Sequence, residues 1–229
     1  ASAVLDDDRP LAVSSVTVNE GSPYAVFTVT GAANQLASLA LANGTSTGLS
    51  SLQYYDAATS SWVTYTSGNV ALNASGSLLV RTSLTPEQEA AVDNGDTFTI
   101  TATNTGGTSA TGQGTIKDDG TGSWFAASNN TATPAVPAGV VLDDDRVLSV
   151  SSLTVNEGSP YAVFTVSGAA NQLATLALTN VGTSGLSGLQ YYDAAANSGA
   201  GAWVTYTSGT VALDASGTLL VRTALTAEQ

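Results

Sequence analysis

The chain repeats itself. The segment VLDDDR at residues 4–9 returns at 141–146, VNEGSPYAVFTV at 18–29 returns at 155–166, and LQYYDAA at 52–58 returns at 189–195, each displaced by 137 positions. A period of this length makes the chain an array of like units before any local pattern is weighed. Beyond Ala58 the second copy gains four residues: Trp62 aligns with Trp203 and Arg81 with Arg222, an offset of 141. The extra residues fall within 196–202, where a hairpin loop tolerates insertion. ASAVLDDDR at the start matches AGVVLDDDR at 138–146, so an upstream repeat is expected; Gln229 aligns with Gln88, so the second copy is expected to lack its last two strands. The expected layout is the end of an upstream linker at 1–9, repeat 1 at 10–119, a linker at 120–146 and an incomplete repeat 2 at 147–229.

A chain of 229 residues with 43% hydrophobic content can hold two modest cores of ordinary domain size. Eighteen Asp and Glu against five Lys and Arg give a formal charge of −13. Such a balance argues against nucleic acid or an anionic membrane as partner, since both require cationic surface, and makes cations the natural counterpart. There is no Cys and no His, which removes disulfide and thiolate chemistry, the commonest general base and the usual zinc ligand. No apolar run approaches the roughly 20 residues of a membrane-spanning helix, so membrane insertion is not expected.

Alternation of period two dominates. In DTFTITATN, Phe98, Ile100 and Ala102 point one way and Thr97, Thr99, Thr101 and Thr103 the other, as in a half-buried antiparallel strand. Similar runs at 11–18, 24–30, 36–42, 52–56, 62–66, 69–72, 78–84 and 113–117 are separated by turns rich in Gly, Asn, Ser and Asp. The sole helix-like piece is 85–95, where Thr85 caps and Pro86 suits the first helical position. The predicted fold is all-β: tandem immunoglobulin-like antiparallel β-sandwiches, the second truncated. Residues 120–146 read as a semi-extended linker, with Trp124 and Phe125 expected to pack on a neighbouring bead.

The acids concentrate in turns and at strand ends. Glu20 follows the first strand, Asp93 and Asp96 precede a long strand, and Asp118 and Asp119 end the last one, all places expected at the C-terminal pole. Carboxylates that converge there repel one another unless a cation intervenes. Calcium is the expected ion, because it accepts six to eight hard oxygens in flexible geometry. Asp143, Asp144 and Asp145, like the triplet at 6–8, stand at a bead junction, where a cation would stiffen the joint; on an extended chain alternate members face the site and the middle one turns away. Solvated turns are the competing reading for each of these acids. Arg81 and Arg222 read by default as surface charges on a strand, Tyr54, Tyr55 and Trp62 as cross-strand packing rather than a sugar platform, and the sequons at Asn43, Asn73 and Asn129 as turn asparagines.

The order DDDR, VNEGSPYAVFTV, DNGDTFTITATN and GTIKDDG resembles the Calx-β-like repeat of large repetitive bacterial adhesins, including those of the RTX type secreted by type I systems. The resemblance covers nearly the whole chain. It implies calcium at the C-terminal pole on Glu20, Asp118 and Asp119 of the first copy and on Glu157 of the second. Two departures stand out: Asp96 where the family often has Glu, and a long linker between DDG and the next DDDR. The function expected is a structural extender of a calcium-stabilised adhesin or extracellular filament at the bacterial surface. The alternative is a calcium-dependent carbohydrate- or protein-binding lectin-like module. Partners are expected to be neighbouring repeats, with self-assembly by strand addition as the alternative. An enzyme is not expected, since His and Cys are absent and the acids sit at strand ends.

Overall fold

The computed structural model describes residues 6–46, 48–85, 95–156, 158–179 and 185–226. The chain divides into two compact units, Ala1–Asp145 and Arg146–Gln229. The helix-like piece at 85–95 lies almost wholly outside the described residues, as do Asp93 and Glu157. Among the described residues no helix is long and apolar enough to cross a membrane.

Unit 1 contains β1 (Ala12–Val13), β2 (Val16–Asn19), β3 (Tyr24–Thr30), β4 (Leu36–Ala42), β5 (Leu49–Asp56), β6 (Ser61–Thr64), β7 (Val70–Ala71), β8 (Ser77–Leu84), β9 (Thr97–Asn104) and β10 (Ser109–Lys117). They form two five-stranded sheets, β1-β3-β8-β5-β6 and β2-β10-β9-β4-β7, whose apolar faces share one core as in a β-sandwich. The run at 11–18, expected as one strand, is two. β1 pairs with β3 in the first sheet, whereas β2 pairs with β10 in the second. Two serines make the crossing. Ser14 exchanges bonds with Thr28 at 2.9 Å, and the Ser15 hydroxyl accepts from the Gln113 N–H at 3.1 Å. The crossing leaves β2 parallel to β10, whereas the other strand pairs of the two sheets among the described residues are antiparallel.

Alternation along β9 buries Phe98, Ile100 and Ala102 and leaves the threonines outside, as expected. Phe98 meets Phe27 edge-on at 5.7 Å. Gly114 lies against the Phe98 ring where a Cβ would collide with it, so the position is closed to larger residues. Each such side chain contributes about 1.5–3 kcal/mol by leaving water.

Unit 2 contains β11 (Ser149–Val150), β12 (Tyr161–Ser167), β13 (Leu173–Ala174), β14 (Gly185–Asp193), β15 (Ala202–Thr205), β16 (Val211–Ala212) and β17 (Thr218–Thr226). The sheet β11-β12-β17-β14-β15 repeats the first sheet of unit 1, register included: Phe164 opposes Val221 as Phe27 opposes Val80. The register shift between Ser50 and Leu52 recurs between Ser187 and Leu189. The insertion in the β14–β15 hairpin includes a short 3-10 turn of three residues, Asn197–Gly199. The second sheet is reduced to β13 and β16. β4 is seven residues long because β9 pairs along it; β13, without such a neighbour among the described residues, is two. The unit 2 core is correspondingly small: Val166, Ala174, Leu213, Leu219 and Val221.

Candidate functional site

Two features of unit 1 carry chemistry: the acidic pole beyond β2 and β10, and the segment 120–145 that lies back on the first sheet. At the pole, β2 delivers Glu20 and the start of β9 delivers Asp96. The Glu20 N–H donates to the Lys117 carbonyl at 2.8 Å, and the Asp96 carbonyl accepts from the Ile116 N–H at 2.8 Å. Both residues line one cavity of about 20 Å³, together with Ser46, Gly48 and Thr85. A void of that size admits one water-sized sphere.

Asp118 stands just past β10. It is 2% exposed, and neither carboxylate oxygen has a hydrogen-bond partner. Its neighbour Asp119 is engaged: Lys117 Nζ lies 3.9 Å away, and the Thr121 N–H and hydroxyl both donate to Asp119 Oδ1. The triplet at 143–145 pairs antiparallel with this segment. Asp119 bridges Asp144, the Asp145 N–H donates to the Asp118 carbonyl and the Gly120 N–H to the Asp143 carbonyl, each at 2.9 Å. The structure thus gathers Glu20 with Asp96, and zips the main chain of 118–120 to that of 143–145. Among the described residues no three Asp or Glu side chains are gathered closely enough to hold a metal ion by themselves.

The first triplet shows the alternation expected of an extended chain. Asp6 and Asp8 both turn to Gly106 in the β9–β10 turn. Asp7 turns to Arg9, whose guanidinium bonds it at 2.6 Å and pulls its carboxyl down to about 2.

Of residues 120–146, expected as a linker, 120–145 fall in unit 1, and hydrogen bonds tie 121–130, 143 and 145 to the rest of it. Asn19, fully buried, anchors the segment. Its Nδ2 donates to the carbonyls of Lys117, Thr121 and Asp143 at 3.0–3.1 Å, and its Oδ1 accepts the N–H groups of Gly21 at 3.1 Å and Asp143 at 2.9 Å. Ser123 then pairs parallel with Val18. Gly122, at φ +99°, permits this approach, since a Cβ there would sit 2.5 Å from the Asn19 nitrogen. Phe125 follows, 1% exposed, paired antiparallel with Tyr24, its N–H on the Ser22 hydroxyl at 2.9 Å. The aromatic pair in this segment therefore packs on the bead that precedes it.

The default reading of Arg81 as a surface charge is corrected. It is 6% exposed, with its guanidinium held between the Tyr24 and Trp62 rings at 3.7 and 4.2 Å. Nε donates to Gln53 Oε1 at 2.7 Å and Nη1 to the Ala127 carbonyl at 3.0 Å. Burial lowers its pKa from the ordinary value, and Tyr24 opposes that shift. Trp62 Nε1 donates to the Asn129 carbonyl at 3.1 Å, and Asn130 donates to the Tyr55 hydroxyl at 3.2 Å. Tyr55 and Trp62 meet edge-on at 5.4 Å as a cross-strand pair, as expected. Asn73 and Asn129 hold turns through their side-chain oxygens, also as expected. In unit 2 the stack recurs: Arg222 lies between Tyr161 at 3.9 Å and Trp203 at 4.3 Å, on Gln190 at 2.7 Å. Neither Asn19 nor Ser22 carries a charge or motif that marks it in the sequence, although both recur, as Asn156 and Ser159.

No family model and no curated protein matches the sequence. Solved structures to which the chain is similar include a tetra-tandem repeat from the extending region of a large adhesion protein, at 16% identity and a TM-score of 0.25; the match covers 96% of this chain and 40% of that one. The Escherichia coli chaperone DraB is similar at 10% identity and a TM-score of 0.33, over 97% of this chain and 88% of DraB. AggA, the major subunit of aggregative adherence fimbriae type I from Escherichia coli, is similar at 16% identity and a TM-score of 0.26, over 51% of this chain and all of AggA. Scores this low leave the architecture to rest on the strand order itself.

Proposed function

We propose that the chain is a structural spacer, a run of β-sandwich repeats that extends an adhesin or filament outside the cell and is stabilised by calcium. The observation that carries the reading is Asp118. A carboxylate that is 2% exposed with both oxygens unpaired is costly in a folded core, by several kcal/mol, unless a cation compensates it. Oxygen-bearing residues at this pole suit a hard ion: Glu20 and Asp96 line one cavity with Ser46 and Thr85, and the Glu20 N–H donates to the carbonyl of Lys117, next in the chain to Asp118. Oxygen donors of this kind favour calcium over softer metals, and calcium's tolerance of irregular geometry suits a site built from turns. A resident calcium would neutralise these carboxylates and hold together the strand ends that carry them.

The test is thermal unfolding with calcium and with chelator. Calcium at about 100 times its Kd adds about 2.7 kcal/mol, which for a unit of this size raises its melting temperature by roughly 5–10 °C. Asp118→Asn removes that dependence and, in chelator, is at least as stable as the parent because the orphan charge is gone. A parent protein indifferent to calcium and chelator would sink the calcium reading.

One observation favours a second reading, a carbohydrate-binding module. A groove of about 800 Å³ beside Tyr54, Tyr55 and Asp56 recurs at about 760 Å³ beside Tyr191, Tyr192 and Asp193. Aromatic faces beside an acid suit a sugar ring. A glycan screen that finds saturable binding to the chain would move the assignment there.

A further inference from the structure

We infer that the outer face of the β12–β17–β14–β15 sheet in unit 2 is a docking site for an extended Phe-x-Ala-x-Asn-Asn segment, of the kind unit 1 holds at 125–130. The occupant is visible once in the molecule, on the equivalent face of unit 1. There the segment contacts its sheet at alternate residues, as an extended chain must. Phe125 gives its N–H to the Ser22 hydroxyl and pairs with Tyr24. Two residues on, the Ala127 carbonyl takes Arg81 Nη1; two further, the Asn129 carbonyl takes the Trp62 indole N–H; Asn130 then reaches the Tyr55 hydroxyl.

Every receptor residue on that path has its counterpart in unit 2: Ser159, Tyr161, Arg222, Trp203 and Tyr192. They already hold the geometry that receives the segment. Ser159 Oγ donates to the Tyr161 carbonyl at 2.9 Å as Ser22 Oγ does to the Tyr24 carbonyl at 2.8 Å. Arg222 is stacked between its two rings and oriented by Gln190 as Arg81 is by Gln53. Tyr192 meets Trp203 edge-on at 5.6 Å, as Tyr55 meets Trp62. The cover is what differs. Val26, beneath the segment, is 3% exposed, while its counterpart Val163 is 44% exposed, with Tyr161 and Leu220 exposed on the same sheet. Among the described residues no main-chain carbonyl takes the place that the Ala127 oxygen fills on Arg81. A stacked, oriented guanidinium beside exposed apolar side chains is the same receptor set that holds the segment in unit 1, where the ligand's chemistry is visible.

The test uses the whole chain and a synthetic peptide, GSWFAASNNTAT, followed by the Trp203 indole resonance and by calorimetry. Saturable 1:1 binding that shifts Trp203 is expected. Replacing the peptide Phe by Ala should weaken it at least tenfold, as should Arg222→Lys, which keeps the charge and loses the planar stack and the fork of donors. Arg222→Gln gives a second variant if the first fails to fold, with amide-shift dispersion of unit 2 as the check on folding. Absence of saturable binding at millimolar peptide overturns the inference. So does binding that shifts Trp62 instead, or that survives both Arg222 variants. A chain that dimerises with Trp203 shifted and ignores the peptide overturns it in favour of a second copy as occupant.

Discussion

Asn19 commits both ends of its amide to main chain, three carbonyls on one side and two N–H groups on the other. Asn19→Ala strands several of these groups in a buried place, so a loss of about 2–3 kcal/mol from unit 1 is expected. Asn156→Ala, whose side chain holds only the local Gly158 N–H among the described residues, should cost under about 1 kcal/mol. Thermal unfolding of the two variants measures the contrast. Asp214 offers a second, titratable case. Its carboxylate accepts the Ser216 hydroxyl first of all, then the Thr218 N–H and hydroxyl and the Ser216 N–H, and these hold its pKa well below the usual carboxylate range. A folded pKa below the unfolded value of about 3.9 means the turn's stabilisation is complete above about pH 4 and fades as the pH drops further. Unit 1 has Asn73 in the same turn, on Ser75 and Ser77. Asp214→Asn should therefore lower the stability of unit 2 modestly at pH 7 and flatten its acid response below pH 4, read by circular dichroism across a pH series. At this scale the sequence exposed charge but concealed neutral anchors. Glu20 drew attention as an acid in VNEG, while the Asn19 beside it gave no signal beyond its recurrence, because an amide that binds main chain has no characteristic spacing.

Among the elements, the strands were legible wherever one face is buried and one wet, as in β9, because alternation is then enforced by water itself. The division of 11–18 into β1 and β2 was not, since a chain that changes sheets keeps its alternation and marks the change only with Ser14-Ser15. The reading of 120–146 as a linker has a related cause. The segment's Gly, Ser, Thr, Asn and Pro content is that of a linker, and the bonds that hold it run to main-chain groups, aromatic edges and one arginine. Trp124 and Phe125 were the only composition-level sign of its attachment. Gly122→Ala tests how the attachment depends on one close approach. The added Cβ would meet the β2 backbone at 2.5 Å, so the segment should lift, exposing Phe125 and costing about 1.5–3 kcal/mol. Limited proteolysis should then cut within 121–142 while the sandwich stays whole; cleavage no faster than in the parent would count against the anchoring role.

For the molecule as a whole, two units of one plan carry unequal cores. Unit 1 joins two five-stranded sheets, whereas unit 2 sets one against a two-stranded remnant and exposes Val147, Val150 and Val163. Calorimetry should show two transitions, the lower belonging to unit 2 and depressed further by Leu213→Ala, which removes about 2–5 kcal/mol of buried contact. The repeat made this plan readable from the chain. The acids' final arrangement was less so, because pole position follows from strand count while side-chain direction follows from turns. The antiparallel bridge between Asp119 and Asp144 also has a mechanical meaning. It joins the two ends of a closed loop, so a pull along the chain passes across a few hydrogen bonds and bypasses residues 121–142. Those bonds are loaded end-on and break in succession. Once they have broken, residues 121–142 peel away only as the contacts of Thr121, Ser123, Phe125, Ala127 and Asn129 give way in turn, releasing 22 residues of contour, on the order of 75 Å. In unit 1 this loop is a reserve of length that a pull would release in steps.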